Sequence, residues 1–150
     1  MRVRPFNHIG PRQAPDYAVA HFAQQIAAIE QGRQPPVLST GNLEPQRDLT
    51  DVRDMVAAYC LLMQRGRRGS VYNAGSGKAV AMRTVLDHLL ARARLPIEVR
   101  QEASLVRAAE HPVVRADATR LRAETGWQPR FSLEQTLVDT LAYWRQALSH

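Results

Sequence analysis

At 150 residues the chain suits one domain with a real core, and its 45% apolar and 23% charged residues are ordinary for a soluble globular protein. The longest apolar run, Met55 to Met63, is too short to cross a bilayer, and the start shows no secretory pattern. A single cysteine, Cys60, excludes an internal disulfide and a cysteine zinc site, so a reducing, cytoplasmic setting is expected. The formal charge of +6 admits nucleic acid as a partner, but the basic residues are scattered and their one dense group, Arg65 to Gly69, falls at a predicted helix end.

In chain order, Val3 to Phe6 read as a short apolar strand and Asn7 to Pro15 as a loop punctuated by Gly and Pro. From Asp16 the pattern turns helical, with Val19, Phe22, Ala23, Ile26 and Ile29 on one face and Gly32 as the stop. Val37 to Ser39 follow as an extended piece, then the loop "TGNLEPQRD". Thr50 or Asp48 is expected to cap a second helix with the stripe Val52, Met55, Val56, Tyr59, Leu62 and Met63. "SVYNAGSG" reads as a buried strand entering a glycine turn, and the helix after it shows Met82, Val85, Leu86, Leu89 and Leu90 on one side. Ile97 to Val99 make a weak strand, and Asp117 is the expected cap of a brief helix stopped by Gly126. Ser132 and Gln135 form a capping box for a last helix striped by Leu133, Leu137, Leu141, Trp144 and Leu148. Trp127 and Trp144 are expected in the core. Few strands accompany about five helices, so the class is α/β, and "RVRPF" and "SVYNA" read as strands of a larger parallel sheet.

Several familiar chemistries are ruled out. "AGSGKA" has Tyr72 where a P-loop needs its first glycine and Ala79 where it needs the magnesium-binding hydroxyl. No glycine-rich dinucleotide fingerprint follows a strand, the histidines lack metal spacing, and no Gly-x-Ser-x-Gly elbow occurs. Polar residues at strand ends carry more information: Asn7 after the first strand, Arg47 before the second helix, and Arg107 with Glu110 in "LVRAAEHPVV". Loop arginines at the ends of α/β elements suit anions. Each also has a plainer reading: Asn7 as a turn residue, Arg47 paired with Asp48 or Asp51, and Arg107 with Glu110 as a surface ion pair. Of the 20 basic residues only Lys78 is a lysine, so an anion here meets guanidinium forks.

"RPFNHIGP", "FAQQIAAIEQG", "GNLEPQRDLTDVRDMVAAYCLL", "GSVYNAGSGKAV" and "RADATRLRAETGWQP", in that order, resemble the C-terminal half of the extended short-chain dehydrogenase/reductases that act on nucleotide sugars. Within that family they are similar to the GDP-6-deoxy-D-mannose reductase branch, with GDP-mannose 4,6-dehydratases next. The resemblance implies the last strands of a Rossmann-type sheet plus a small substrate-binding α/β subdomain, the dinucleotide-binding portion lying outside this sequence. It implies NAD or NADP as cofactor, bound mostly by that other portion, with the backbone of Pro5 and Phe6 near the nicotinamide. Asn7 would touch the sugar-phosphate region, Arg47 and Arg107 would clamp a diphosphate, and Glu110 would contact the ribose. The partner implied is a GDP-sugar, with nucleic acid and membrane excluded and a homo-oligomer through exposed strands allowed. The family's catalytic Tyr-x-x-x-Lys pair is not here: Tyr17, Tyr59, Tyr72 and Tyr143 are followed four residues later by His21, Met63, Ser76 and Ala147. No catalytic residue and no metal ligand is therefore assigned. The rival readings are a dehydratase or epimerase fragment, a non-catalytic remnant, and a basic nucleic-acid-binding module. Two positions depart from the family pattern: Ala108 replaces a proline after Arg107, and "GPRQ" at Gly10 to Gln13 stands where "GPGQ" is more frequent.

Overall fold

The computed structural model describes residues 1–106 and 111–149. Strands β1 (Arg2–Pro5) and β2 (His8–Ile9) precede helix α1 (Ala18–Glu30), then come β3 (Val37–Thr40), β4 (Gln46–Asp48) and β5 (Thr50–Asp51). Helix α2 (Val52–Arg65), β6 (Val71–Ala74), β7 (Ala79–Ala81), α3 (Met82–Leu90) and β8 (Glu98–Gln101) follow, then β9 (Val113–Val114), α4 (Thr119–Thr125) and α5 (Leu133–Ala147). β1 pairs with β6, β2 with β5, β3 with β8 and β4 with β9, all parallel, while β7 runs antiparallel to β4. The α/β class with parallel pairing is as expected. β2, β4, β5, β7 and β9 go beyond the sequence-based expectation, because pieces of two or three residues show no period of their own.

Two apolar cores form. The first packs α1, α3 and α5 around β3 through Phe22, Ile26, Leu38, Leu86, Leu89 and Leu137. Each large aliphatic or aromatic side chain so buried contributes about 1.5–3 kcal/mol. The expected α1 stripe, Val19, Phe22, Ala23, Ile26 and Ile29, is buried throughout, and Gly32 closes the helix at φ 67°. Buried among these apolar groups, the Gln25 amide donates to Ser39 O at 2.9 Å and accepts from Ser39 N at 2.9 Å, standing where a further strand beside β3 would be. The second core joins α2, β6 and α4 through Met55, Leu62, Tyr72, Leu121 and Trp127. Trp144 packs only partly buried against the first core.

The α2 stripe requires correction. Met55, Ala58 and Leu62 face the core, whereas Val56, Tyr59 and Met63 are exposed, Met63 at 79%. The apolar residues of α2 span two faces, and the tertiary packing selects one. The caps also differ from expectation. β5 extends the chain through Asp51, so Asp51 is the N-cap of α2 and accepts from Arg53 N at 2.7 Å. Asp48 is instead wholly buried. Its carboxylate accepts Ser76 N (2.8 Å), Ser76 Oγ (2.6 Å), Gly77 N (2.8 Å) and Ala116 N (3.0 Å). A Cβ on Gly75 would stand 2.5 Å from Ala116 Cβ, so only glycine lets the turn close this tightly. Asp117 accepts from Thr119 N, but the N-cap position of α4 falls to Ala118, and Gly126 ends the helix at φ 74°. Ser132 caps α5 through Gln135 N, but the Gln135 side chain reaches Asp139, so the box closes on one side.

Two further carboxylates tie the helices together. Asp51 binds Arg53 through Nε (2.9 Å) and Nη2 (2.7 Å) and accepts Thr136 Oγ1 of α5 at 2.7 Å. Glu30 binds Arg145 through Nε and Nη2, both at 2.7 Å, and accepts Arg94 N at 3.0 Å. Burial pushes both carboxyls up, but hydrogen bonds and charge from Arg53 with Thr136, and from Arg145 with Arg94, outweigh it and hold both below the ordinary range.

Removing the Asp48 carboxylate strands buried amides, so Asp48→Ala is expected to cost about 3 kcal/mol or more in urea unfolding, against about 1 kcal/mol for Ser76→Ala. Carboxyls depressed in the folded state contribute stability above their unfolded pKa and lose it as pH falls through the folded one. Stability is therefore expected to hold from pH 7 to about 5 and decline below about pH 4. Thr136→Val should cost about 2 kcal/mol at neutral pH and less at about pH 2–3, measured by melts across that range.

Candidate functional site

An open cleft of about 1310 Å³ lies where β1, β2, β3 and β4 end against the first turns of α1. The first strand brings Pro5, Phe6 and Asn7 to its wall, because Phe6 N still donates to Ala74 O at 2.8 Å and carries the parallel pairing one residue past β1. The Asn7 carbonyl accepts Thr50 N at 3.0 Å, which starts the β2–β5 pair and leaves the Asn7 side chain exposed at the cleft. Arg47 enters from β4, on the strand that buries Asp48 one residue later. Its Nη1 donates to Gln46 O at 2.9 Å and to His111 O at 2.8 Å, so the guanidinium is held across the β4–β9 side of the mouth. The plainer reading of Arg47 does not hold, since Asp48 is filled by the Ser76–Gly77 turn and Ala116, and Asp51 by Arg53 and Thr136.

Pro5, Phe6, Asn7 and Arg47 thus share one cleft. Arg107 and Glu110 lie outside the described residues; on either side of that segment Leu105 and Val114 reach the cleft. Phe22, Leu49, Val52 and Met82 supply an apolar floor. Arg12 and Arg47 outnumber Asp16, the one carboxylate among the described lining residues, so the walls favour an anion. Sequence reasoning does not single out Arg12, Gln13, Tyr17 and His21 as cleft residues. The available signal is the "GPRQ" turn itself, whose proline and following residue fix where the next side chain points.

The glycine turn at Gly75–Gly77 is no phosphate cradle: the Ser76 and Gly77 amides already hold Asp48. Among the described residues nothing else offers a glycine-rich strand-to-helix turn, and Pro5 and Phe6 line one wall of the cleft. No group of three or more metal-ligating side chains occurs among the described residues, and none of their helices is long and apolar enough to cross a membrane.

Parallel α/β pairing that leaves an anion-favouring cleft at strand ends defines a portion of a Rossmann-type short-chain dehydrogenase/reductase. Residues 1–140 match the GDP-mannose 4,6 dehydratase family, and the chain belongs to it. It is 38% identical over 141 residues to GDP-6-deoxy-D-mannose reductase from Pseudomonas aeruginosa, covering 94% of this chain and 46% of that protein. It is 31% identical over 141 residues to the low-salt glycan biosynthesis protein Agl12 of Haloferax volcanii, covering 94% and 43%. The solved structure of RMD from Pseudomonas aeruginosa complexed with NADPH superposes with a TM-score of 0.90 at 37% identity, covering 97% of this chain and 48% of that one. The chain spans less than half the length of each. NAD(P) is the cofactor of the full-length family.

Proposed function

We propose that this chain is the sugar-nucleotide-binding portion of an NAD(P)-dependent GDP-4-dehydro-6-deoxy-D-mannose reductase, the enzyme that forms GDP-D-rhamnose. The observation that carries the reading is the convergence of Pro5, Phe6, Asn7 and Arg47 on one cleft, in a chain similar to a GDP-6-deoxy-D-mannose reductase along 94% of its length. Arg47, with Arg107, binds the diphosphate; Asn7 contacts the sugar-phosphate region; Glu110 takes the ribose. Pro5 and Phe6 present backbone to the nicotinamide, whose hydride goes to the C4 ketone of the sugar. This wall's task is to fix that carbon against the cofactor, because orientation removes much of the entropic barrier to transfer. A dehydratase reading is the second choice, favoured by the family matched and by 26% identity to GDP-mannose 4,6-dehydratase from Sinorhizobium fredii.

Calorimetry on the chain is expected to show saturable binding of GDP and GDP-mannose, weakened at least tenfold, about 1.4 kcal/mol, by Arg47→Ala. Binding of duplex DNA that falls steeply with salt, without saturable GDP binding, would favour a nucleic-acid module instead. With no Tyr-x-x-x-Lys pair in the sequence, the purified chain is expected to give no NAD(P)H-dependent reduction of a 4-keto sugar nucleotide. Turnover in that assay would remove the division of labour proposed.

A further inference from the structure

The turn that closes the cleft between β2 and α1 has an unusual backbone. Gln13 N donates to Gly10 O at 3.3 Å, which makes Gly10–Gln13 a four-residue turn with Pro11 second and Arg12 third. Arg12 has φ 71°, alone among described non-glycine residues in being left-handed. A positive φ at the third position is the type II pattern, where glycine or asparagine sits without penalty and proline favours the second place. The turn therefore keeps the shape that glycine would give it while carrying a long cationic side chain, at a cost in backbone strain that glycine would avoid. The same turn has another unfavourable feature: Gln13 Nε2 donates to His8 O at 2.9 Å, but Gln13 Oε1 is buried with no partner among the described residues. Strain of this kind persists where the surroundings impose it, and it gathers at ligand sites.

Nothing in the packing explains the arginine. Arg12 is exposed, lines the cleft, and its guanidinium has no hydrogen bond or ion pair within the described chain. A solvated arginine with no other task could occupy any neighbouring exposed position without strain. Arg47 lines the same cleft. We propose that Arg12 is a binding residue whose guanidinium takes a phosphate oxyanion of the cleft's ligand, reaching it from the β2–α1 turn while Arg47 comes from β4. This rests on the sugar-nucleotide reading above and deepens it, adding an anion contact from a second loop of the cleft.

The test compares Arg12→Gly, Arg12→Ala and Arg12→Lys in the full chain by calorimetry with GDP and with guanosine, and by thermal melting. Gly and Ala are both expected to weaken GDP at least fivefold, Lys to recover part of that loss, and guanosine, which has no phosphate, to be unaffected. Gly should melt about 2–4 °C above Ala, since only Gly relieves the left-handed strain while both lack the charge. Failure of the unsubstituted chain to bind GDP would overturn the sugar-nucleotide reading and this assignment together. Normal GDP binding by the unsubstituted chain and by Arg12→Gly alike would overturn this assignment alone. Equal melting of Gly and Ala would remove the strain on which it is built.

Discussion

A single buried carboxylate organises the half of the molecule that faces the cleft. Asp48 lies inside the protein, yet its charge is spread over amides and a hydroxyl from two segments distant in sequence, the Ser76–Gly77 turn and Ala116. Burying an anion is tolerable when its lone pairs are filled by fixed donors, and very costly otherwise. Those bonds set β4 against β7 and against the strand leading to α4, and so determine where the neighbouring Arg47 emerges. The glycine turn that resembles a phosphate loop is part of the same device: its anion comes from within the chain.

Much of two segments that carry the family resemblance is scaffold. In "RDLTDVRD", Asp48 fills the amide nest, Thr50 is buried, and Asp51 caps α2 while gripping Arg53 and Thr136. Asp54 accepts from Arg130 N and Phe131 N at 3.0 Å, and its carbonyl accepts Trp127 Nε1 at 2.9 Å. "ETGWQP" is the other half of that joint, with Gly126 turning the chain left-handed so that Trp127 enters the core. Arg53 adds a second fastening: its guanidinium lies 3.7 Å over the ring of Phe131 and ties α2 to the segment that starts α5.

Legibility follows length of pattern. α1, α3 and α5 announce themselves through stripes that repeat over several turns, and their buried faces are those the spacing indicates. The two-residue strands cannot be read, because their pairing is decided by partners far along the chain, as with His8 and Thr50. α2 is legible as a helix but not in its orientation, since apolar residues on two faces leave the choice to whichever surface the fold presents. At the cleft, Asn7 and Arg47 stand out in the sequence as loop polar groups near strand ends. Arg12 is hidden by the assumption that a turn residue only turns.

The Gln25 amide at Ser39 has an implication for how the sheets stop growing. A peptide group presents one donor and one acceptor at a fixed spacing, and a glutamine side chain offers the same pair. By engaging both backbone groups of Ser39, Gln25 terminates hydrogen bonding on that flank, so a foreign strand finds no template there. A helix thereby closes the margin of a sheet with one side chain, and a hydrophobic replacement at this site would keep the helix packed while leaving both Ser39 peptide groups without their partner.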